Sequence, residues 1–382
     1  MTTTARPESP GAAVAPAGRH PYIDNVKGLL IVLVVLGHMV RPTVGSSPGG
    51  WSIYTLIYLC HMPAFVMLSG MLSATELTGR RAASLVRDLL APYVVFQLLY
   101  MGFYTLMEKP MAWTVDGFLS PIFHLWFLPA LFVWRILTPL FAQLRGGVVL
   151  AIGVSLSAGA ATVLGHPLSL DRLAGMLPFF VAGVWLGRGR LAYRPSPRVR
   201  LAAIAVLITA VPIAYLVASR LSSLWVYWNS SYEQAGVAAT RGVLIRLGLM
   251  IVGFAMTWAI MMLTPHRRTF FTDWGANSMY PYLLHGFVVL AFTWSPLPEQ
   301  VDNIPALLAL AAAVVLLVWI TASPPVVRAT RPLVSPPIGW LLKTTVPAKK
   351  GQSVAATQSR AQRAEAERPD CRACAGTDSA SM

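Results

Sequence analysis

The stretch IDNVKGLLIVLVVLGHMV, Ile23 to Val40, has the apolar length of a membrane-spanning helix, yet it carries three ionisable side chains, Asp24, Lys27 and His38. Crossing the hydrocarbon core of a bilayer takes about 20 mostly apolar residues. Helical residues turn by about 100° and rise by about 1.5 Å each. Lys27 and His38, eleven residues apart, therefore share one face to within about 20° and lie roughly 16 Å apart along the axis. Asp24 is close enough to Lys27 to pair with it, and it differs from His38 by about 40° in azimuth. Charge facing lipid costs several kcal/mol, so this stripe must face the bundle interior or a water-filled cavity. An interfacial ion pair with a snorkelling lysine accounts equally well for Asp24 and Lys27. His38 lies deeper and is read as functional.

The rest of the chain agrees with a membrane reading. Of 382 residues, 55% are hydrophobic and 12% charged, and the mean hydropathy is +0.60. An average soluble domain has about 25% charged residues, so the composition points to a polytopic membrane protein. The net charge of +15 does not mark a nucleic-acid partner. The basic residues fall between apolar runs rather than in a patch with a DNA- or RNA-binding motif. Cys60, Cys371 and Cys374 make no disulfide framework. The CxxC spacing at Cys371 lacks a second ligand pair and reads as chance. Residues 1–18 have no apolar core of a cleavable signal peptide, so the first span is expected to insert the chain.

About ten apolar stretches meet the spanning criterion. They lie near 22–42, 53–72, 89–107, 122–142, 147–164, 173–187, 199–219, 242–263, 277–294 and 304–322. Lys and Arg concentrate in alternate loops: Arg80, Arg81 and Arg87; Arg145; Arg188 to Arg200; Arg267 and Arg268; and both tails. The other loops hold only Arg41, Lys109, Arg172, Arg220 and Arg241. The positive-inside rule then puts both termini in the cytoplasm and makes the number of spans even. The expected organisation is a disordered tail over 1–19, a membrane domain over 20–322 and a cytoplasmic, mostly disordered tail over 323–382. Trp225, Tyr227, Trp228 and Tyr232, in the long external loop, read as an interfacial aromatic belt before a sugar-stacking platform.

Four of the seven histidines, His38, His61, His124 and His285, fall in four different spans. With helix centres at mid-bilayer, all four lie within roughly 10 Å of the midplane, in its outer half or at it. Buried imidazoles at one depth can serve as general base, nucleophile, proton relay or metal ligand. The carboxylate or Cys partners of a metal motif such as HExxH are missing, so no metal is expected. No GxSxG elbow or phosphate-binding glycine loop occurs either. A neutral His taking the proton of an attacking hydroxyl remains the attractive chemistry.

Five segments carry a resemblance to a known family: DNVKGLLIVLVVLGH (Asp24–His38), HMPAFVMLSG (His61–Gly70), RDLLAPYVVF (Arg87–Phe96), HLWFLPALF (His124–Phe132) and MYPYLLHGFVV (Met279–Val289). In this order they resemble the acyltransferase 3 family of integral membrane enzymes, in particular its fucose 4-O-acetylase-like branch. The resemblance implies an all-α bundle of about ten helices. It implies transfer of an acyl group, usually acetyl, from cytoplasmic acyl-CoA, a co-substrate rather than a resident cofactor, to a hydroxyl of a glycan or glycosylated product. His38 would be the catalytic base or a transient acyl carrier, with His61 as its partner. Asp24 and Lys27 would orient the cytoplasmic end of the path. His124, Trp126 and His285 would line the acceptor side. Arg87 first, then Arg80 and Arg81, with the Arg188–Arg200 cluster, would bind the phosphates of CoA. Lys27 stands where many members have Arg, which keeps the charge but not a bidentate fork.

The competing reading is a proton-coupled transporter or exporter in which the buried His, Asp and Lys form a proton path. A transporter would neither bind acyl-CoA nor release free CoA.

Overall fold

The computed structural model describes residues 20–342, apart from Pro48, residues 162–166 and Leu221. The N-terminal tail, the C-terminal tail from Lys343 onward and the CxxC spacing at Cys371 lie outside the described residues. Among those described, every regular element is helical. In chain order the helices are α1 (Pro21–Val40), α2 (Gly50–Tyr58), α3 (His61–Leu72), α4 (Gly79–Leu85), α5 (Ala91–Leu106), α6 (Val115–Leu119), α7 (Phe127–Gln143) and α8 (Gly147–Ala160). There follow α9 (Leu170–Leu186), α10 (Pro197–Arg220), α11 (Leu224–Tyr227), α12 (Ala239–Leu263), α13 (Thr272–Ala276), α14 (Met279–Thr293), α15 (Ile304–Thr321) and α16 (Pro324–Val334).

Every apolar stretch singled out from the sequence contains a helix among the described residues. Six helical runs among the described residues are long and apolar enough to cross a membrane: Pro21–Thr43, Gly50–Leu72, Gly79–Leu106, Pro197–Arg220, Ala239–Leu263 and Ile304–Thr321. Helices α7, α8 and α14 are apolar but shorter. Helix α9 contains Pro178.

Prolines set two boundaries that matter for the site. Pro63 has no N–H to give to the carbonyl of Leu59, which favours a kink or break in the helix at this point. The chain breaks at Leu59 and Cys60, and α3 restarts with His61 as its first residue. Pro129 sits in the first turn of α7, where a missing N–H costs nothing. The helix therefore begins at Phe127 rather than near 122, and His124 lies in the turn before it.

Helix α1 is the axis of the bundle and packs against α2, α3, α13, α14 and α15. Asn25, fully buried, ties it to the approach to α13. Its Nδ2 donates to the carbonyls of Pro265 (2.8 Å) and Arg267 (2.7 Å), and its Oδ1 accepts from Thr269 (2.9 Å) and Thr272 (2.6 Å). Helices α3 and α9 cross closely at Gly70 and Gly183. A Cβ on Gly70 would collide with the Phe180 carbonyl, and one on Gly183 with that of Met67. Small residues permit such backbone approach between helices in membranes. At the other extreme, α10 and α15 turn most of their apolar residues outward, with Leu201, Ile208, Leu308 and Trp319 exposed. The amphipathic α16 packs on α14, α5 and α15 and extends the described structure beyond the last expected span.

Candidate active site

Three histidines from distant parts of the chain meet at one point. His38 comes from the last turn of α1, His124 from the turn before α7, and His285 from the middle of α14. A ligand nitrogen of each lies within 4.8 Å of those of the other two. His38 Nδ1 is 2.9 Å from His285 Nε2, and the rings are 8° from parallel. His285 Nδ1 is 2.8 Å from the carbonyl oxygen of Pro281, one helical turn back.

These two contacts fix the protons. A carbonyl oxygen can only accept, so His285 Nδ1 carries a hydrogen and its Nε2 presents a lone pair. His38 Nδ1–H donates to that lone pair. The nitrogen left for the cavity, His38 Nε2, is therefore unprotonated in the neutral ring and is a base by construction. His61 repeats the device, since its Nδ1 donates to the Ile57 carbonyl at 2.7 Å and leaves Nε2 as an acceptor.

His124 differs. It is buried, and neither ring nitrogen has a hydrogen-bond partner among the described residues. Its ring is held by His285 (4.4 Å between centroids), by the edge of Tyr282 (5.0 Å) and by Tyr100 (5.6 Å). The Tyr282 hydroxyl donates to the His124 carbonyl at 2.7 Å. Space for the ring comes from Gly286, where a Cβ would meet the Tyr100 hydroxyl and the His124 ring. Beside it Phe123 adopts a left-handed backbone (φ 55°) that lays its ring 4.6 Å from His38. Such backbone in a bulky residue persists only where its surroundings impose it.

Imidazoles this close could also hold a cation. A cation there would take the His285 lone pair that otherwise accepts from His38.

His38, His61, His124 and Trp126 line a cavity of about 580 Å³ at the C-terminal end of α1. His285 is not part of its wall and stands behind His38. Tyr58, Tyr227, Asn229 and Tyr282 add polar tips, and Arg41, Asp171 and Arg172 are its charged groups. A second cavity, about 430 Å³, lies at the N-terminal end of α1 and is lined by Asp24, Lys27, Glu76, Arg81, Arg135 and Arg188. Lys27 and Asp24 pair there at 3.7 Å. Arg188 donates to the Leu72 carbonyl (2.7 Å) and Arg81 to that of Glu76 (2.8 Å). Arg135 Nε is buried without a hydrogen-bond partner among the described residues.

Between the two lies an apolar neck of about 280 Å³, walled by Ile31, Phe65, Leu68, Leu128 and Leu131. It shares Lys27, Leu72 and Arg135 with the basic cavity, and Val34, Met62, Phe127 and Tyr282 with the histidine cavity. The three form one run along α1, from Lys27 to His38.

Asp24, Lys27, Arg81, His38, His61, His124 and Trp126 thus all face this run. Arg80 and Arg87 do not. Arg87 is exposed and pairs with Asp88 through two hydrogen bonds of 2.7 and 3.1 Å. Of the Arg188–Arg200 cluster, expected at the CoA phosphates, Arg188 lines the basic cavity. Reading loop arginines as topology charges passed over Arg41 and Arg172, and Arg135, inside an expected span, was not singled out. For Arg135 the signal was present: a guanidinium within the apolar run HLWFLPALFVWRILTPL is functional by default.

An all-helical membrane protein with imidazoles on an internal cavity is the class that fold and site define. The chain belongs to the acyltransferase 3 family: residues 20–323 match its acyltransferase domain. It is also similar to the nodulation protein NolL of Sinorhizobium fredii (strain NBRC 101917 / NGR234), with 28% identity over 42% of this chain and 46% of that one. NolL of Mesorhizobium japonicum (strain LMG 29417 / CECT 9101 / MAFF 303099) is 28% identical over 48% of this chain and 52% of its own. The chain spans about half the length of these relatives. No solved structure matches it.

Proposed function

We propose that the chain is an integral O-acyltransferase of the cell membrane, with about ten spans and both termini cytoplasmic. It moves an acyl group, acetyl, from cytoplasmic acyl-CoA to a hydroxyl of a glycan or glycosylated product on the opposite side. The observation that carries this reading is the run of cavities from the basic mouth at Lys27, through the apolar neck, to the imidazoles at His38.

The chemistry of acyl-CoA suits each part. Its phosphates need cations, which Lys27, Arg81, Arg135 and Arg188 supply. Its pantetheine arm suits a narrow, largely apolar neck. Its thioester would stand at the far end, beside His38. In the transfer step the acceptor hydroxyl gives its proton to His38 Nε2 while its oxygen bonds to the thioester carbonyl carbon. Charge that develops on the carbonyl oxygen meets the N–H of His124, a buried donor with no other use. Collapse breaks the carbon–sulfur bond. The thiolate takes the proton back from His38, leaving an ester and free CoA. His285 holds the His38 ring and its tautomer throughout, and His61 Nε2 accepts from a second hydroxyl of the acceptor.

The test is release of free thiol from acetyl-CoA by the purified protein in nanodiscs, with a cell-surface glycan extract as acceptor, comparing wild type with His38→Ala. Acceptor-dependent release that the variant loses while staying folded supports the reading. A folded protein that neither binds acetyl-CoA nor releases thiol would make the same conduit a transport path, with the histidines as proton carriers.

A further inference from the structure

The histidine cavity has a charge pattern that hydroxyl transfer alone does not call for. Positive-inside bias leaves few basic residues in the loops on the acceptor side, yet two of them, Arg41 and Arg172, line this cavity. Both are held rigidly. Arg41 Nε donates to the Tyr227 hydroxyl at 2.8 Å, and its guanidinium lies 5.5 Å from the centroid of Trp51 and 5.8 Å from that of Tyr54. Arg172 lies 5.4 Å from the centroid of Trp126. Neither has a carboxylate within ion-pairing distance among the described residues. The one acid in the wall, Asp171, turns Oδ1 to the backbone N–H of Arg172 at 2.7 Å.

Half-buried guanidinium groups clamped on aromatic faces lose hydration that a surface arginine keeps, and a bound anion restores the missing contacts. Lipid-phosphate anchoring does not require the two groups to face an internal cavity beside the base.

We infer that the acceptor is anionic: a carboxylate or phosphate, on or next to the sugar that carries the reacting hydroxyl, is held by Arg41 and Arg172 while the hydroxyl meets His38. This rests on the acyltransferase reading and names its substrate class. Tyr58 and Asn229, in the same wall, supply neutral hydrogen bonds for the ring itself. Arg41 and Arg172 are then the specificity-determining residues of the acceptor side.

The test measures binding of three probes to the full chain in neutral phosphatidylcholine nanodiscs: methyl glucuronoside, its neutral methyl ester and inorganic phosphate. Wild type, Arg172→Gln, Arg172→Lys and Arg41→Gln are compared, and acetyl-CoA binding is measured in the same samples. Wild type is expected to bind the glucuronoside, or phosphate, at least ~10-fold more tightly than the ester, the scale of one charge-assisted hydrogen-bonded pair. The preference should disappear in Arg172→Gln, return in part in Arg172→Lys, and weaken with salt. Equal binding of all three probes, binding of none, or an anion preference that survives both glutamine variants would overturn the inference. So would a preference that disappears when anionic phosphatidylglycerol is added, which would give the arginines to lipid headgroups. Acetyl-CoA binding without an anion preference sinks this inference alone, whereas loss of both sinks the acyltransferase reading with it.

Discussion

Replacing His285 by Ala isolates the relay behind the base. The ring lines no part of the cavity and meets its wall through His38 and His124, so the change acts through those two. In the wild type the 2.9 Å bond from His38 Nδ1 to His285 Nε2 fixes which nitrogen faces the acceptor. In His285→Ala that N–H loses its partner in a site where His285 itself is fully buried. A buried donor left unsatisfied costs about 1–3 kcal/mol, and about 1.36 kcal/mol is tenfold in rate, so thiol release should fall roughly 5- to 150-fold. His38→Ala removes the base itself and should cost about 10²–10⁴-fold. The two residues act as one unit, so the double variant should be no slower than His38→Ala alone. His285→Gln, whose side-chain oxygen can accept the same N–H, should recover most of the rate. The assay is acceptor-dependent thiol release at saturating acetyl-CoA, with thermal melting in the same detergent to show that each variant is folded. A double variant that loses the product of the two single effects would refute the relay, as would a His285→Gln variant no better than His285→Ala.

Three further outcomes follow from the same geometry. Arg135→Gln should raise KM for acetyl-CoA by about 10-fold with little change in kcat, the scale of one charge-assisted contact, whereas Arg87→Gln, which breaks only an exposed ion pair, should move it less than about 3-fold; steady-state kinetics separates the two. Gly183→Leu should lower the melting temperature, because a side chain would meet the Met67 carbonyl across the α3–α9 crossing, and overpacking typically costs about 1–3 kcal/mol; an unchanged melting curve would contradict the close approach. Prolonged treatment with a strong chelator should leave the rate unchanged, with no stoichiometric metal found by elemental analysis, because His38 and His285 are read as a hydrogen-bonded pair; loss of activity restored by zinc would convert the three histidines into a metal centre.

Much of the bundle was legible in the sequence because a membrane helix announces itself by length and apolarity. The stripe of Asp24, Lys27 and His38 could be read for a similar reason, since helical geometry alone puts the three on one face. What could not be read was which residues the tertiary fold brings opposite that stripe. His285 and His124 were recognisable as buried imidazoles, but only the packing of α14 and of the turn before α7 against α1 makes one a brace for His38 and the other an unpartnered donor. The breaks at Leu59–Cys60 and before Phe127 depend on Pro63 and Pro129, whose local effect was in plain view but was outweighed by continuous hydrophobicity. The loop arginines failed for a different reason. Topology explains most of them, and nothing in a single sequence separates Arg87, which pairs with Asp88 at the surface, from Arg188, which turns inward; Arg135, inside an apolar run, was separable.

The shape of the conduit also bears on the size of the group transferred. The neck meets the histidine cavity between Val34, Met62, Phe127 and Tyr282, which belong to both. A pantetheine arm that passes this junction brings its thioester among rings: Phe123 at 4.6 Å from His38, and Tyr282 on the edge of His124. A two-carbon acyl group needs no further room there. A long chain would have to turn back into the neck beside the arm or extend among the polar groups of the acceptor cavity, where its methylenes would displace the hydrogen bonds that the sugar needs. Burial of apolar chain is favourable by about 0.8 kcal/mol per methylene where the surroundings are themselves apolar, and this wall mixes His38, Tyr58 and Arg172 with Val34, Met62, Met176 and Val226. Under the acyltransferase proposal, the polar groups on that wall would favour the smallest acyl group.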